Sequence, residues 1–182
     1  MRPRRGAPPA EEPPAEAAPP TSRGEPAAGD ERSFTEFYEA SWHTVTRGLA
    51  VTLGDEDLAA EATDEAMVRA YQRWRTVRHY DAPAGWVYRV GLNWARSYHR
   101  RARRQFPFAR PDRVEPPPMA DPSVAEALAA LDVDLRAVVV CRLVLDWSVR
   151  DTADALDLPP GTVKSRLHRA LAQLHDALAH LR

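Results

Sequence analysis

The stretch SVRDTADALDLPPGTVKSRLHRAL, residues 148–171, reads as one amphipathic helix until Pro159 and Pro160 interrupt it. A helix over 149–156, a turn at Asp157, Leu158 and Pro159, and a second helix opening at Pro160 have the spacing of a helix-turn-helix. Pro160 stands at a first helical position, where its missing N–H costs nothing. Asp157 takes the left-handed turn position that Gly usually fills and Asp tolerates. At about 3.6 residues per turn, Val163, Leu167, Ala170, Leu171 and Leu174 share one side of the second helix. Lys164, Ser165, His168 and Arg169 fall opposite, flanked by Thr162 and Arg166. Such side chains can reach base edges and phosphates in a major groove. An ordinary helical hairpin with a polar outer side has the same periodicity, and Arg166, near the core edge, suits an internal ion pair as well as DNA.

Working outward, the flanking composition divides the chain. Residues 1–31 repeat proline and lack large apolar side chains, so they are expected to form a disordered tail. The Pro-rich interval 105–123 is expected to be an extended, semi-stiff linker. Two small domains follow, 32–104 and 124–182. Neither has the alternation of strands and both carry helix-spaced apolar residues, so the fold class is all-α. A formal net charge of -1 hides sorting by sign, with acids gathered over 55–65 and arginines over 96–104. Cys141, the single cysteine, excludes an internal disulfide, and its setting VVVCRLVL makes it a small buried apolar residue in a protein of the reducing cytoplasm. No apolar run is long enough to span a membrane, and prolines and glutamates stand where a signal peptide would place its apolar segment.

In the first domain, Ser33 is a candidate N-cap with Glu36 at the capping-box position. Phe37, Trp42, Val45 and Leu49 then form an apolar stripe that ends at Gly54. The next helix, 55–74, aligns Leu58, Ala62, Ala66, Ala70 and Trp74 on one side. Its outer side carries Glu61, Asp64, Glu65, Arg69 and Arg73, which a solvated face with an i,i+4 Glu65–Arg69 pair explains as readily as a partner surface. Residues 77–85 are expected to form a loop, and a third helix to run from Trp86 with Val87, Val90, Trp94 and Tyr98 toward the core. Its polar side ends in Arg96, Arg100, Arg101, Arg103 and Arg104, with no acid in the helix to neutralise them. A helix C-terminus favours one or two such cations, not this many. Interleaved with Trp86, Tyr88, Trp94 and Tyr98, they form the mixture that holds phosphates and stacks on unpaired bases.

These residues resemble the bacterial extracytoplasmic-function sigma factors of the sigma-70 family, over about 32–182. GTVKSRLHRAL resembles the recognition helix of the family's fourth conserved region, which reads the minus 35 element as duplex. WVYRVGLNWARSYHRRARR is similar to its promoter-melting helix, which reads the minus 10 element, and Asn93 falls at the asparagine that helps read a flipped base. EATDEAMVRAYQRW is similar to the helix that docks on the polymerase clamp, with departures from the pattern at Ala62, Asp64 and Met67. The resemblance implies Thr162, Lys164, Ser165, Arg166, His168 and Arg169 as minus 35 contacts. It implies Trp86, Asn93, Arg96, Arg100, Arg101, Arg103 and Arg104 as minus 10 and melting residues, and Glu61, Asp64, Glu65 and Arg69 as polymerase contacts. The implied partners are core RNA polymerase and promoter DNA, with an anti-sigma factor as a further candidate.

No metal-ligand spacing, Gly-rich phosphate loop or paired nucleophile occurs, so no cofactor and no catalysis are expected. Two other readings fit parts of the pattern. One is a two-domain helix-turn-helix regulator with a sensing or dimerising first domain, against which RSYHRRARR argues. The other is a helical adaptor that binds protein only.

Overall fold

Helix α1 (Ala28–Leu53) and helix α2 (Glu56–Gln72) fold back on each other about Gly54, whose φ of 72° ends α1 where the sequence placed its stop. The computed structural model describes residues 28–105 and 121–180. The expected tail up to residue 27 and the linker over 106–120 lie outside the described residues. Asp55 caps α2 by accepting the Leu58 N–H at 2.8 Å, with Glu56 and Asp57 at the positive end of the helix dipole. A short turn of helix, α3 (Trp74–Val77), leads to α4 (Pro83–Gln105), which crosses both earlier helices. The C-terminal group comprises α5 (Pro122–Ala130), α6 (Val133–Val139), a π-helical turn over Val140–Val144, α7 (Val149–Leu156) and α8 (Pro160–His180). No strand occurs among the described residues, in accord with the all-α expectation.

The core is built from the expected stripes of α1 and α2. Val45, Leu49, Ala62, Ala66 and Ala70 are fully buried, and Leu58 nearly so. α4 approaches α2 closely because position 91 is glycine: a Cβ there would lie 2.8 Å from Leu49 Cδ1 and 3.0 Å from the Ala62 carbonyl oxygen. Ala62 and Met67, two of the departures noted above, are both buried in this core, where the small Ala62 admits α4.

Four expectations are corrected. α1 begins at Ala28, inside the segment assigned to the tail, because the Asp30 carboxylate accepts from Arg75 at 3.1 Å and pairs with Arg78. Ser33 is therefore no N-cap; it lies within α1, donates to the Asp30 carbonyl and accepts the Trp74 indole N–H at 2.7 Å. α4 starts at Pro83 rather than Trp86, with proline tolerated in its first turn. Its buried stripe is Val87, Tyr88, Gly91, Leu92 and Ala95, while Val90 and Trp94 are half-buried and Tyr98 is exposed. Helix packing on two sides rotates the stripe away from the phase read from the sequence.

The two helical groups share one core. Ala137 and Cys141 of the second group are fully buried among the residues of the first. The π-helical turn closes with the Leu145 N–H donating to Val140 O at 2.9 Å, and Asp146 follows with φ 53°. This places Trp147 edge-on to Tyr88 at 5.5 Å and Leu145 over Gly48, where a Cβ would lie 2.9 Å away. Burial raises the Tyr88 phenol well above its ordinary pKa, and the phenol shares a 2.6 Å hydrogen bond with the Thr52 hydroxyl. Burial likewise pushes the Cys141 thiol up to about 12.

Candidate nucleic-acid interface

The helix-turn-helix forms as its residues dictate. Ser148 caps α7 in a full capping box, accepting the Asp151 N–H at 3.0 Å while the Asp151 carboxylate accepts the Ser148 N–H at 3.1 Å. Asp157 closes α7 in the left-handed region, φ 56° and ψ 50°, and α8 opens at Pro160. Val163 and Ala170 are fully buried and Leu167 and Leu174 half-buried, so they fasten α8 to α6 and α7. Leu171, expected on the same side, is 42% exposed, because the inward line of α8 runs through Val163, Leu167, Ala170 and Leu174 and Leu171 lies at its edge.

The opposite row is free: Lys164, Ser165, His168 and Arg169 are exposed, with Thr162 beside them half-buried. Ser165 spends its hydroxyl proton on the Thr162 carbonyl at 3.1 Å and keeps its lone pairs outward. Arg166 departs from the row. It is half-buried and points to the Asp134 carboxylate of α6 at 3.9 Å, the internal pairing that its place near the core edge suggested.

On α4 the candidate residues divide by depth. Asn93, Arg100 and Arg101 are exposed, and Arg96 and Trp86 are half-buried. Trp94 and Tyr98 stack at 5.5 Å with an 18° interplanar angle, which builds a two-ring ledge beside Asn93 and the arginines. Tyr88, grouped with them in the sequence, is fully buried and belongs to the core. The backbone of α4 continues through Arg103 and Arg104, whose side chains lie outside the described residues. Arg89, part of the quoted α4 stretch but not singled out in it, joins Asn93, Arg96, Asp134 and Arg166 around a cavity of about 150 Å³ between α4 and the helix-turn-helix. Arg96 pairs with Asp134 there. No sequence signal pointed to Arg89 or Asp134, since their roles arise only where the two helical groups meet.

On α2, Glu61, Asp64 and Arg69 are exposed and Glu65 is half-buried. Glu65 and Arg69 form the expected i,i+4 pair at 2.8 Å. Asp64 is not a free charge: it accepts the Trp42 indole N–H at 2.7 Å and so ties α2 to α1. Among the described residues no helix is long and apolar enough to cross a membrane.

The model of region 4 of the sigma-70 family matches residues 123–174. Along the chain, the sequence is 32% identical over 162 residues to the ECF RNA polymerase sigma factor SigM of Mycobacterium tuberculosis, covering 85% of this chain and 81% of that protein. It is 30% identical over 158 residues to the RNA polymerase sigma-E factor of Streptomyces coelicolor, covering 82% and 88%. The fold is similar to that of the sigma factor RpoE solved with the anti-sigma factor NepR from Bartonella quintana, with a TM-score of 0.67 and 19% identity over 83% of this chain and 99% of that one. CnrH, solved with the cytosolic domain of CnrY, gives 0.60 and 24%, over 84% and 92%.

Proposed function

The chain belongs to the extracytoplasmic-function sigma factors of the sigma-70 family, and on that premise we propose how its residues bind core RNA polymerase and direct it to promoters. The observation that carries the assignment is the exposed row Lys164, Ser165, His168 and Arg169 on a helix held by a complete helix-turn-helix. This row, with Thr162, enters the major groove of the minus 35 element, and Arg166 joins it once released from Asp134. The group α1–α4 acts as the polymerase-binding and melting unit and the group α5–α8 as the duplex-reading unit, joined by the Pro-rich segment between Gln105 and Pro122. Asn93 pairs with the edge of an extruded base of the minus 10 element. Trp86 and the Trp94–Tyr98 ledge offer stacking surface, and Arg96, Arg100, Arg101, Arg103 and Arg104 hold the backbone. The chain makes and breaks no covalent bond; phosphodiester synthesis belongs to the polymerase, in the cytoplasm.

Two variants test the division of labour. Asn93→Ala is expected to leave polymerase and minus 35 binding intact while losing roughly 1–3 kcal/mol at the melting step. Permanganate reactivity of unpaired thymines reads this directly, and parental reactivity would remove Asn93 from the base-reading role. Glu61 with Glu65 forms an acidic surface that complements a basic clamp. Glu61→Lys with Glu65→Lys should therefore weaken core polymerase binding by roughly tenfold or more, in competition against the parent chain. Asp64 is kept in this test because its carboxylate holds Trp42. Equal competition by parent and variant would place the polymerase contact elsewhere.

A further inference from the structure

Near the point where the chain enters α1, aromatic rings of α1 and α2 form an outward face. Phe34 is half-buried, and its ring centroid lies 6.3 Å from that of Tyr38 and 5.0 Å from that of Tyr71, both pairs tilted. Tyr38 and Tyr71 are exposed, at 38% and 41%, and among the described residues no ring contact joins one to the other. Phe34 is therefore the floor between two projecting rings, backed by Trp74 edge-on at 5.3 Å. Beside it, Arg75 and Arg78 share the single carboxylate of Asp30 in the first turn of α1, which leaves positive charge in excess there.

The sequence ahead of α1 holds an occupant of matching chemistry. Residues 13–20, PPAEAAPP, set two proline pairs six residues apart. A polyproline II helix has about three residues per turn, so the second pair returns to the edge of the first after two turns. Proline rings on such an edge dock between aromatic side chains, and the preformed helix loses little entropy in doing so. Residues 21–27 connect the segment to α1 and include Gly24, which permits the chain to reverse and run back along α1. At about 3.1 Å per residue they span roughly 20 Å, against about 9 Å along α1 from Ala28 to Phe34.

We propose that residues 13–20 dock as a polyproline II helix across Tyr38, Phe34 and Tyr71 of their own chain, with Glu25 drawn to the cations of Arg75 and Arg78. The short connection makes the encounter intramolecular, at an effective concentration on the order of millimolar, so modest contacts suffice. The docked segment covers the C-terminal end of α2 and obstructs a polymerase that docks on that helix, a consequence that rests on the assignment of α2 given above.

Backbone amide NMR relaxation on the full chain tests the docking. Glu16, Ala17, Ala18, Thr21 and Ser22 are expected to show order parameters above about 0.6, which fall below it in Tyr38→Ser with Tyr71→Ser. Both tyrosines are exposed, so far-UV circular dichroism should be unchanged. Pro13→Ala, Pro14→Ala, Pro19→Ala and Pro20→Ala together should release the segment in the same way, and dilution of the parent should not. Values below about 0.6 in the parent, or equal values in parent and tyrosine variant, would overturn the docking. A dependence on protein concentration would place the segment on a second copy and overturn it as well. The proline variant should also compete for core polymerase severalfold better than the parent, and equal competition would overturn the obstruction. Failure of both chains to bind core polymerase would instead overturn the assignment of α2, while the order parameters still decide the docking.

Discussion

Alanine at both Lys164 and Arg169 is expected to weaken binding of the minus 35 duplex by about 2–6 kcal/mol, at least roughly 30-fold, if each side chain contributes the 1–3 kcal/mol of a bidentate base contact. Both lie on the exposed row of α8, away from its buried Val163 and Ala170, so the loss comes from the interface and leaves the fold of the helix-turn-helix unchanged. Fluorescence anisotropy on matched and mutated duplexes separates two kinds of contact. A base-reading pair loses preference for the matched duplex. A phosphate-binding pair weakens both duplexes alike and lowers the salt slope by about one per residue. Undiminished affinity with undiminished preference would mean that α8 does not enter the groove by this face.

Leu49→Ala should be the most damaging single truncation for stability. Leu49 is fully buried where α1, α2 and α4 meet, and its Cδ1 occupies the space left open by Gly91. Truncation leaves a cavity in a close-packed region and is expected to cost about 2–5 kcal/mol, a large share of the roughly 5–15 kcal/mol that stabilises a domain. Urea denaturation followed by circular dichroism measures it. Leu171→Ala, on a side chain that is 42% exposed, should stay within roughly 0.5 kcal/mol and serves as the matched control. Similar losses for the two would contradict the placement of the core.

The helix-turn-helix was legible because its boundaries are set by neighbours in sequence. Asp157 tolerates the left-handed turn and Pro160 opens α8, as the spacing indicated, while the Ser148–Asp151 box that fixes the start of α7 emerged only in the structure. The exposed row of α8 followed from periodicity alone. The start of α1 was not legible, because residues 28–31 are held by Asp30 meeting Arg75 and Arg78, far along the chain. Tyr88 was read as a stacking ring beside the arginines, whereas it is fully buried, edge-on to Trp147 and hydrogen-bonded to the Thr52 hydroxyl. The double role of Asp134 escaped for the same reason. A carboxylate in the first turn of α6 is an ordinary helix-start residue until tertiary packing brings Arg96 and Arg166 to it.

Asp64 shows how a motif reading and a packing reading can both hold in part. Its position on the outer side of α2 followed from the spacing, and it is exposed as expected. Its hydrogen bond to Trp42, however, makes it a tie between α1 and α2, so a substitution there changes structure as well as surface charge.

The most direct measurement is transcription from genomic fragments by core RNA polymerase with and without the chain, with start sites mapped, beside the Lys164→Ala, Arg169→Ala double variant. The account predicts discrete start sites that appear only when the parent chain is added, preceded by shared minus 35 and minus 10 elements, and that are lost with the double variant. Start sites that are the same without the chain, or that the double variant supports as well as the parent, would contradict it.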